Sequence, residues 1–214
     1  MRRSDVLDAL AADGGELGQV LALLAAAGEA EPERLPVAAG DRLLLELHRE
    51  VAGRELELTL LCPRCRTVNA VVLAPETVPP RRERTAWLGG RGGLRGPTYD
   101  DLRDLPADAD EARRELLRRC VVGSPASEPA DDALDLVDDS LAGPLVVACA
   151  GCDETVEVPL DAERAVLESL RAVADGLERE IHLLARAYHW EHAAIVALPD
   201  ERRSRLAELV ESGL

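Results

Sequence analysis

Two short cysteine pairs carry the clearest chemistry in the sequence. Cys62-Pro-Arg-Cys65 and Cys149-Ala-Gly-Cys152 both have the CxxC spacing of metal-binding knuckles. Four thiolates brought together in this way form the tetrahedral site that Zn²⁺ prefers when its role is structural. We therefore predict that these four residues bind one structural zinc ion, which would join parts of the chain that lie far apart in sequence.

The residues around each pair predict the elements that position it. Leu56, Leu58 and Leu60 alternate with polar residues before the first pair, and a similar alternation flanks the second pair. A period of two is typical of β-strands, so each pair is expected at the tip of a β-hairpin, one over 54–74 and one over 144–160. Two such hairpins around a metal ion form a zinc ribbon.

Two other interpretations of the cysteine pairs are weaker. A redox-active CxxC motif needs a helix N-terminus, where the helix dipole lowers the pKa of the thiol, and neither pair follows this pattern. A catalytic zinc ion keeps one coordination position open for water, whereas four thiolates leave none. The expected metal ion therefore stabilises the fold and does not take part in a reaction.

Helical patterns surround the two predicted hairpins. Apolar residues recur every three or four positions from Val166 to Tyr188, which predicts one long helix with Asp161 as its N-cap. Near the N-terminus, Asp41 is expected to cap a helix that Gly53 ends in a left-handed conformation. We predict an α+β fold in a single domain. N-terminal helices are expected over 1–53 and C-terminal helices over 161–214. Between them lie the zinc-ribbon hairpins over 54–74 and 144–160, which are separated by an insertion over 75–143 with mobile loops and a helix.

The composition limits the classes of partner. The formal net charge of −16 argues against a protein that grips a phosphate backbone, so nucleic acid is an unlikely partner. No apolar run approaches the length of a membrane helix, and Asp5 and Asp8 are unlike a signal peptide. We expect a cytoplasmic protein that does not bind membranes.

Several other residues with reactive side chains are expected to be structural. Cys120 lies on a helix face with leucines and is expected to be a small buried residue. His182, His189 and His192 lack the i, i+4 spacing of a helical metal site, so packing or capping near a helix end is favoured over metal binding or catalysis. His48, between charged neighbours, is expected on a helix surface.

The segment 81–97 is rich in arginine and glycine and is expected to be a mobile, solvated or partner-docking loop in which Trp87 packs. RNA binding is the alternative, but the net charge and the scarcity of aromatic residues oppose it. Phosphate-binding GxxxxGK and nucleophilic GxSxG motifs are both absent from the sequence. We expect no enzymatic activity.

Five segments together resemble a known family. The sequence is similar to the baseplate-hub assembly chaperones of contractile phage tails and of tail-like contractile injection systems, over most of residues 16–210. The segments that carry the resemblance are GDRLLLELHREVAGRELELTLLCPRC (40–65), LRGPTYDDLRDL (94–105), ELLRRCVVG (115–123), VVACAGCDETVEVPLD (146–161) and EIHLLARAYHWEHAAIVALPDERRSRLAELV (180–210). In the family a glycine commonly follows each CPxC pair, whereas Arg66 and Asp153 stand at those positions here.

The resemblance implies a non-enzymatic helper that binds a baseplate hub or spike protein during assembly. Trp87, Tyr188 and Trp190 are the expected partner-binding residues, through the 81–97 segment and the C-terminal helices. Two alternatives stay open: a structural subunit of the finished particle, and a zinc-ribbon adaptor that binds nucleic acid or has a regulatory role. The sequence predicts no oligomeric state.

Overall fold

The computed structural model describes residues 2–77, 85–87, 90–126, 129–130 and 132–213. The fold is mixed α+β, as the sequence predicts, and the described part contains seven α-helices and three small antiparallel sheets. The helices are α1 (Arg3–Leu10), α2 (Gly15–Ala26), α3 (Val37–Ala52), α4 (Ala109–Cys120), α5 (Ala162–Tyr188), α6 (His192–Val196) and α7 (Asp200–Glu211). The strands are β1 (Leu56–Leu61), β2 (Val68–Leu73), β3 (Thr85–Trp87), β4 (Gly90–Arg95), β5 (Val121–Pro125), β6 (Ala142–Ala148) and β7 (Thr155–Asp161).

The main hydrophobic core lies between the first half of α5 and the helices α1, α2 and α3. Val166, Leu167 and Leu170 of α5 are fully buried there, on the apolar face that the sequence predicts. The helix begins as predicted, because the carboxylate of Asp161 accepts a hydrogen bond from the backbone N–H of Arg164 at 2.9 Å. The long helix α5 therefore packs against all three N-terminal helices.

The two predicted hairpins are present. β1 pairs with β2 and β6 pairs with β7, each antiparallel and each with a CxxC pair in its turn. Gly53 ends α3 with a φ of 70°, as predicted, and the chain then enters β1. Leu56 and Leu73, which face each other across the base of the first hairpin, are buried in the main core and fix that hairpin to the helices.

The third sheet corrects the prediction of a mobile loop over 81–97. Strands β3, β4 and β5 form an antiparallel sheet in that order, so residues 85–87 and 90–95 are not loop. Glycine permits the close approach of neighbouring strands: a Cβ atom on Gly92 would lie 2.2 Å from the backbone nitrogen of Pro125. Residues 81–84 and 88–89 and the side chain of Trp87 lie outside the described part of the chain.

Two predictions for α3 are wrong for the same reason. The helix begins at Val37, so Asp41 is not its N-cap; its carboxylate is only 2% exposed and accepts the backbone N–H of Leu141 at 2.7 Å. His48 is fully buried, with Nε2 at 2.8 Å from Oγ of Ser169 on α5. Both side chains lie on a face of α3 that neighbouring elements cover. The sequence of the helix alone does not show which of its faces will be covered.

The C-terminal helices fold back on the second half of α5. Arg203 of α7 is only 2% exposed, and its guanidinium forms ion pairs with Glu180 of α5 at 2.8 Å and with Asp200. Glu180 also accepts a hydrogen bond from Ser204 Oγ at 2.6 Å. A charge this buried is tolerated only when it is fully paired, so these contacts define how α5 and α7 pack.

Candidate metal centre

The two hairpin tips bring the four predicted cysteines together. Their Sγ atoms all lie within 4.8 Å of one another, with 3.8 Å between Cys62 and Cys152 and 3.5 Å between Cys65 and Cys149. All five cysteines of the chain are free thiols. Among the residues that the structure describes, these four form the only group of three or more His, Cys, Asp or Glu side chains close enough to hold a metal ion.

The sulfur spacing fits a tetrahedral ion. A tetrahedron with metal–sulfur bonds of about 2.3 Å has sulfur–sulfur edges of about 3.8 Å. The Cys62–Cys152 and Cys65–Cys149 pairs, which both cross between the hairpins, are within a few tenths of an ångström of that value. Cys62 and Cys149 are buried, whereas Cys65 is exposed to solvent.

The two knuckles have the same backbone geometry. In each, the N–H of the first cysteine donates to the carbonyl of the residue five positions later. Cys62 donates to Thr67 at 2.9 Å, and Cys149 donates to Glu154 at 2.8 Å. In each, the carbonyl of the first cysteine accepts the N–H four residues on, at 3.0 Å. The hairpins therefore approach the site as two near-equivalent halves.

The residues that directly follow the two cysteine pairs both adopt a conformation that favours glycine. Arg66 has a φ of 63° and Asp153 a φ of 55°, both in the left-handed region that favours glycine. In both knuckles this left-handed conformation is adopted by a residue that has a side chain. It adds backbone strain at both knuckles.

Hydrogen bonds favour the ionised form of two of the sulfurs. The pKa of the Cys65 thiol is lowered to about 6 by hydrogen bonds from the side chain and the backbone N–H of Thr67, whose Oγ1 lies 3.2 Å from Sγ. The pKa of Cys149 is also lowered, mainly by the backbone N–H of Gly151 at 3.3 Å. Such donors stabilise thiolates, the form that binds metals.

Cys152 has the opposite tendency. The backbone N–H of Glu154 lowers the pKa of Cys152, but the neighbouring sulfurs of Cys65, Cys62 and Cys149 outweigh this and raise it to about 12. Without a cation the group holds at least one proton, because four negative charges cannot share so small a volume. A divalent ion that binds here would release that proton, so metal affinity should rise with pH.

Contacts outside the sulfur ligands also join the two knuckles. Arg64 forms an ion pair with Glu154 at 2.7 Å on the solvent side. Gly151 lies against Thr67 so closely that a Cβ atom would be 2.3 Å from Oγ1. Asn69, which the sequence analysis missed, is buried beneath the sulfurs. Its one signal in the sequence is a polar residue at an inward-facing position of a strand.

Two of the three predicted partner-binding aromatics, Tyr188 and Trp190, lie at the far end of α5. The rings of Tyr188 and Trp190 stack with centroids 4.9 Å apart, and each residue is 39% exposed. His189 lies between them in a left-handed conformation that ends the helix. His182 and His192 are also exposed, and the three histidines are not part of a metal-competent group in the described chain.

Cys120 is a packing residue, as predicted. It is fully buried beside Leu94 and Leu117 in a second, smaller hydrophobic cluster. Burial raises the pKa of its thiol to about 11, which keeps the sulfur protonated and unreactive.

Comparison with protein-family models, with curated proteins and with solved structures finds no match to the chain. None of the helices in the described residues combines the length and the apolar character that a bilayer crossing requires.

Proposed function

We propose that the chain is a zinc-ribbon protein that helps to assemble the baseplate hub of a contractile phage tail or injection system, by binding a hub or spike protein. Its metal ion is structural and it catalyses no reaction. The observation that carries the protein-binding role is the solvent-exposed Tyr188–Trp190 pair at the end of a helical arm. The assembly role is supported by the resemblance of the five sequence segments described above.

Zn²⁺ is the metal ion that the ligand set favours. Four cysteine sulfurs at tetrahedral spacing suit Zn²⁺, which has no redox chemistry and no preference for another geometry. The ligands come from two hairpins whose cysteines are 84 to 90 residues apart in sequence. A metal ion at this position would hold the hairpins together and leave no coordination position for a substrate.

The aromatic pair suits a protein partner. Tyr and Trp are the residues that most often dominate the binding energy of protein interfaces, because they bury a large area with few rotatable bonds. The buried Arg203–Glu180 ion pair fixes α7 against α5, the helix that ends at Tyr188, so little conformational entropy would be lost on binding. The net charge of −16 favours a partner with a basic surface, and a cytoplasmic location is part of the same proposal.

The proposal is tested by co-expression with candidate hub and spike proteins, followed by affinity capture of this chain. A Tyr188→Ala/Trp190→Ala variant should capture at least tenfold less partner than the natural chain, since two anchors of about 2 kcal/mol each would be lost. The matched control is Leu136→Ala, which removes an apolar side chain that is 63% exposed elsewhere on the surface. Equal capture by all three proteins would contradict the assignment of the aromatic pair.

Purified, fully assembled particles distinguish an assembly helper from a structural subunit. A helper should be absent from them or present in much less than stoichiometric amount. A stoichiometric amount of the chain in finished particles would favour the structural subunit instead.

A further inference from the structure

Asn69 lies on β2, directly beneath the four sulfurs, and is only 7% exposed. Its Nδ2 atom is 3.7 Å from Sγ of Cys149 and 3.1 Å from the backbone carbonyl of Thr67. Its Oδ1 atom accepts the backbone N–H of Ala150 at 2.9 Å. One side chain on the first hairpin therefore contacts both a ligand and the backbone of the second knuckle.

The corresponding position in the second hairpin has a different residue. Asn69 stands four residues after Cys65, and Val156 stands four residues after Cys152. Val156 is also buried, but it packs against Cys62 and Cys149 with apolar atoms alone. The two halves of the site are therefore equivalent in backbone and different at this one buried position.

We infer that Asn69 is a positioning residue of the metal centre, which holds the second knuckle in the place that the metal requires. The two bonds to that knuckle act together. The bond to Ala150 fixes the position of its backbone, and the Nδ2–H group points at the sulfur of Cys149, where it stabilises the thiolate. A buried amide with both ends paired is costly to disrupt, so this contact resists separation of the hairpins.

Residues that orient metal ligands without binding the metal commonly contribute 10- to 100-fold to metal affinity. The inference rests on the proposed metal centre, although not on its assembly role. It predicts that removal of the Asn69 amide weakens metal binding in that range while all four ligands remain.

The test compares two substitutions in the full chain. Asn69→Val introduces the side chain that the second hairpin carries at the equivalent position, so the strand should accept it. Asn69→Asp keeps an oxygen for the N–H of Ala150, removes the Nδ2–H donor and adds a negative charge near the thiolates. Competition of Zn²⁺ against a chelator of known affinity, together with the sulfur-to-metal absorption of the Co²⁺ form, reports on the site directly.

Both variants should bind one metal ion per chain at saturation. Asn69→Val should bind Zn²⁺ 10- to 100-fold more weakly than the natural chain, and Asn69→Asp should bind it more weakly still. Leu117→Ala, which opens a cavity in the second hydrophobic cluster, is the control for general loss of stability. It should lower the unfolding midpoint, and the loss of Zn²⁺ affinity that accompanies it measures the part that comes from general destabilisation alone.

Two results would overturn the inference. One is an Asn69→Val protein with natural Zn²⁺ affinity. The other is an Asn69→Val protein that is as stable as Leu117→Ala and loses no more Zn²⁺ affinity than Leu117→Ala does. If the Asn69 variants do not fold, Ala150→Pro replaces them, because it removes the backbone N–H that Asn69 Oδ1 accepts, and the first knuckle carries proline at the equivalent position, Pro63. Natural affinity in that variant would also contradict the inference. None of these results would affect the proposal that the four cysteines bind Zn²⁺.

Discussion

Asp41 should make the stability of the protein fall as the pH rises. Its carboxyl is 2% exposed, and burial raises its pKa from 3.8 to about 7, despite the hydrogen bond from the N–H of Leu141. The nearby carboxylates of Glu163, Asp138 and Asp161 raise the pKa further. In the unfolded chain the group loses its proton near pH 4, whereas in the folded chain it keeps the proton up to about pH 7.

The magnitude follows from this difference in pKa. Between about pH 4 and pH 7 the folded protein binds one more proton than the unfolded chain at Asp41, so the free energy of unfolding decreases as the pH rises. At 1.36 kcal/mol per pKa unit the total loss is on the order of 4 kcal/mol, of which about 3 kcal/mol falls between pH 5 and pH 7. The contribution is present in full only below pH 4.

Asp41→Asn isolates this effect. Asparagine keeps an oxygen for the N–H of Leu141 and does not titrate, so the variant should lack this part of the pH dependence. Denaturant unfolding of both proteins, saturated with Zn²⁺ at pH 5 and at pH 8, gives the difference in stability between them. Because the two proteins share the pH dependence of metal binding, this contribution cancels in the difference between their stabilities. It should shift by about 3 kcal/mol in favour of the variant from pH 5 to pH 8.

A stability difference that is the same at pH 5 and pH 8 would refute this reasoning. Glu163→Gln provides an independent check, because burial also raises the pKa of Glu163 to about 7 and the hydroxyl of Tyr99 donates to its Oε1 at 2.7 Å.

Further predictions concern the cysteines and the left-handed residues of the two knuckles, Arg66 and Asp153. Cys62→Ser or Cys149→Ser should lose both the metal and the fold, since a structural zinc site contributes on the order of 10 kcal/mol; retained Zn²⁺ stoichiometry by elemental analysis would contradict the four-sulfur site. Cys120→Ala should keep one Zn²⁺ per chain, and metal loss in that variant would show that the ligands are assigned wrongly. Arg66→Gly and Asp153→Gly should each stabilise the metal-saturated protein by about 0.5 to 1 kcal/mol, because relief of left-handed strain exceeds the entropy that glycine adds to the unfolded chain. An unchanged or lower unfolding midpoint in both would show that neither turn is strained.

Local patterns were sufficient to predict the elements that carry the cysteines. Each hairpin has its own period-two alternation, and α5 has an uninterrupted apolar stripe with a capping Asp161. These signals are read within one element and do not depend on what packs against it. The proximity of the four sulfurs was predictable for a related reason, because two CxxC pairs in hairpin turns have few roles other than binding a common metal ion.

The sheet of β3, β4 and β5 could not be predicted in this way. The strand Gly90–Arg95 contains three glycines and two arginines and lacks the alternation of a half-buried strand. Its pairing depends on β5, which lies beyond the helix α4, and on the room that Gly92 and Gly93 leave for their neighbours. Tertiary context overrides strand propensity here.

The buried polar residues were missed for a different reason. Asp41, His48, Asn69 and Arg203 are all buried, although their residue types are usually exposed. Each forms a hydrogen bond or an ion pair with a residue from a distant part of the chain, and sequence periodicity contains no information about that partner. Within the candidate site, the ligands were therefore predictable and the residue that positions them was not.

The distance in sequence between the two knuckles has a consequence for synthesis on the ribosome. Cys65 leaves the exit tunnel 84 residues before Cys149. At about 5 to 20 residues per second, the first hairpin waits about 4 to 17 s for its ligand partners. During that interval the nascent chain can offer a metal ion only two of the four sulfurs of the site. A metal ion with four sulfur ligands could therefore bind only after the second knuckle has emerged.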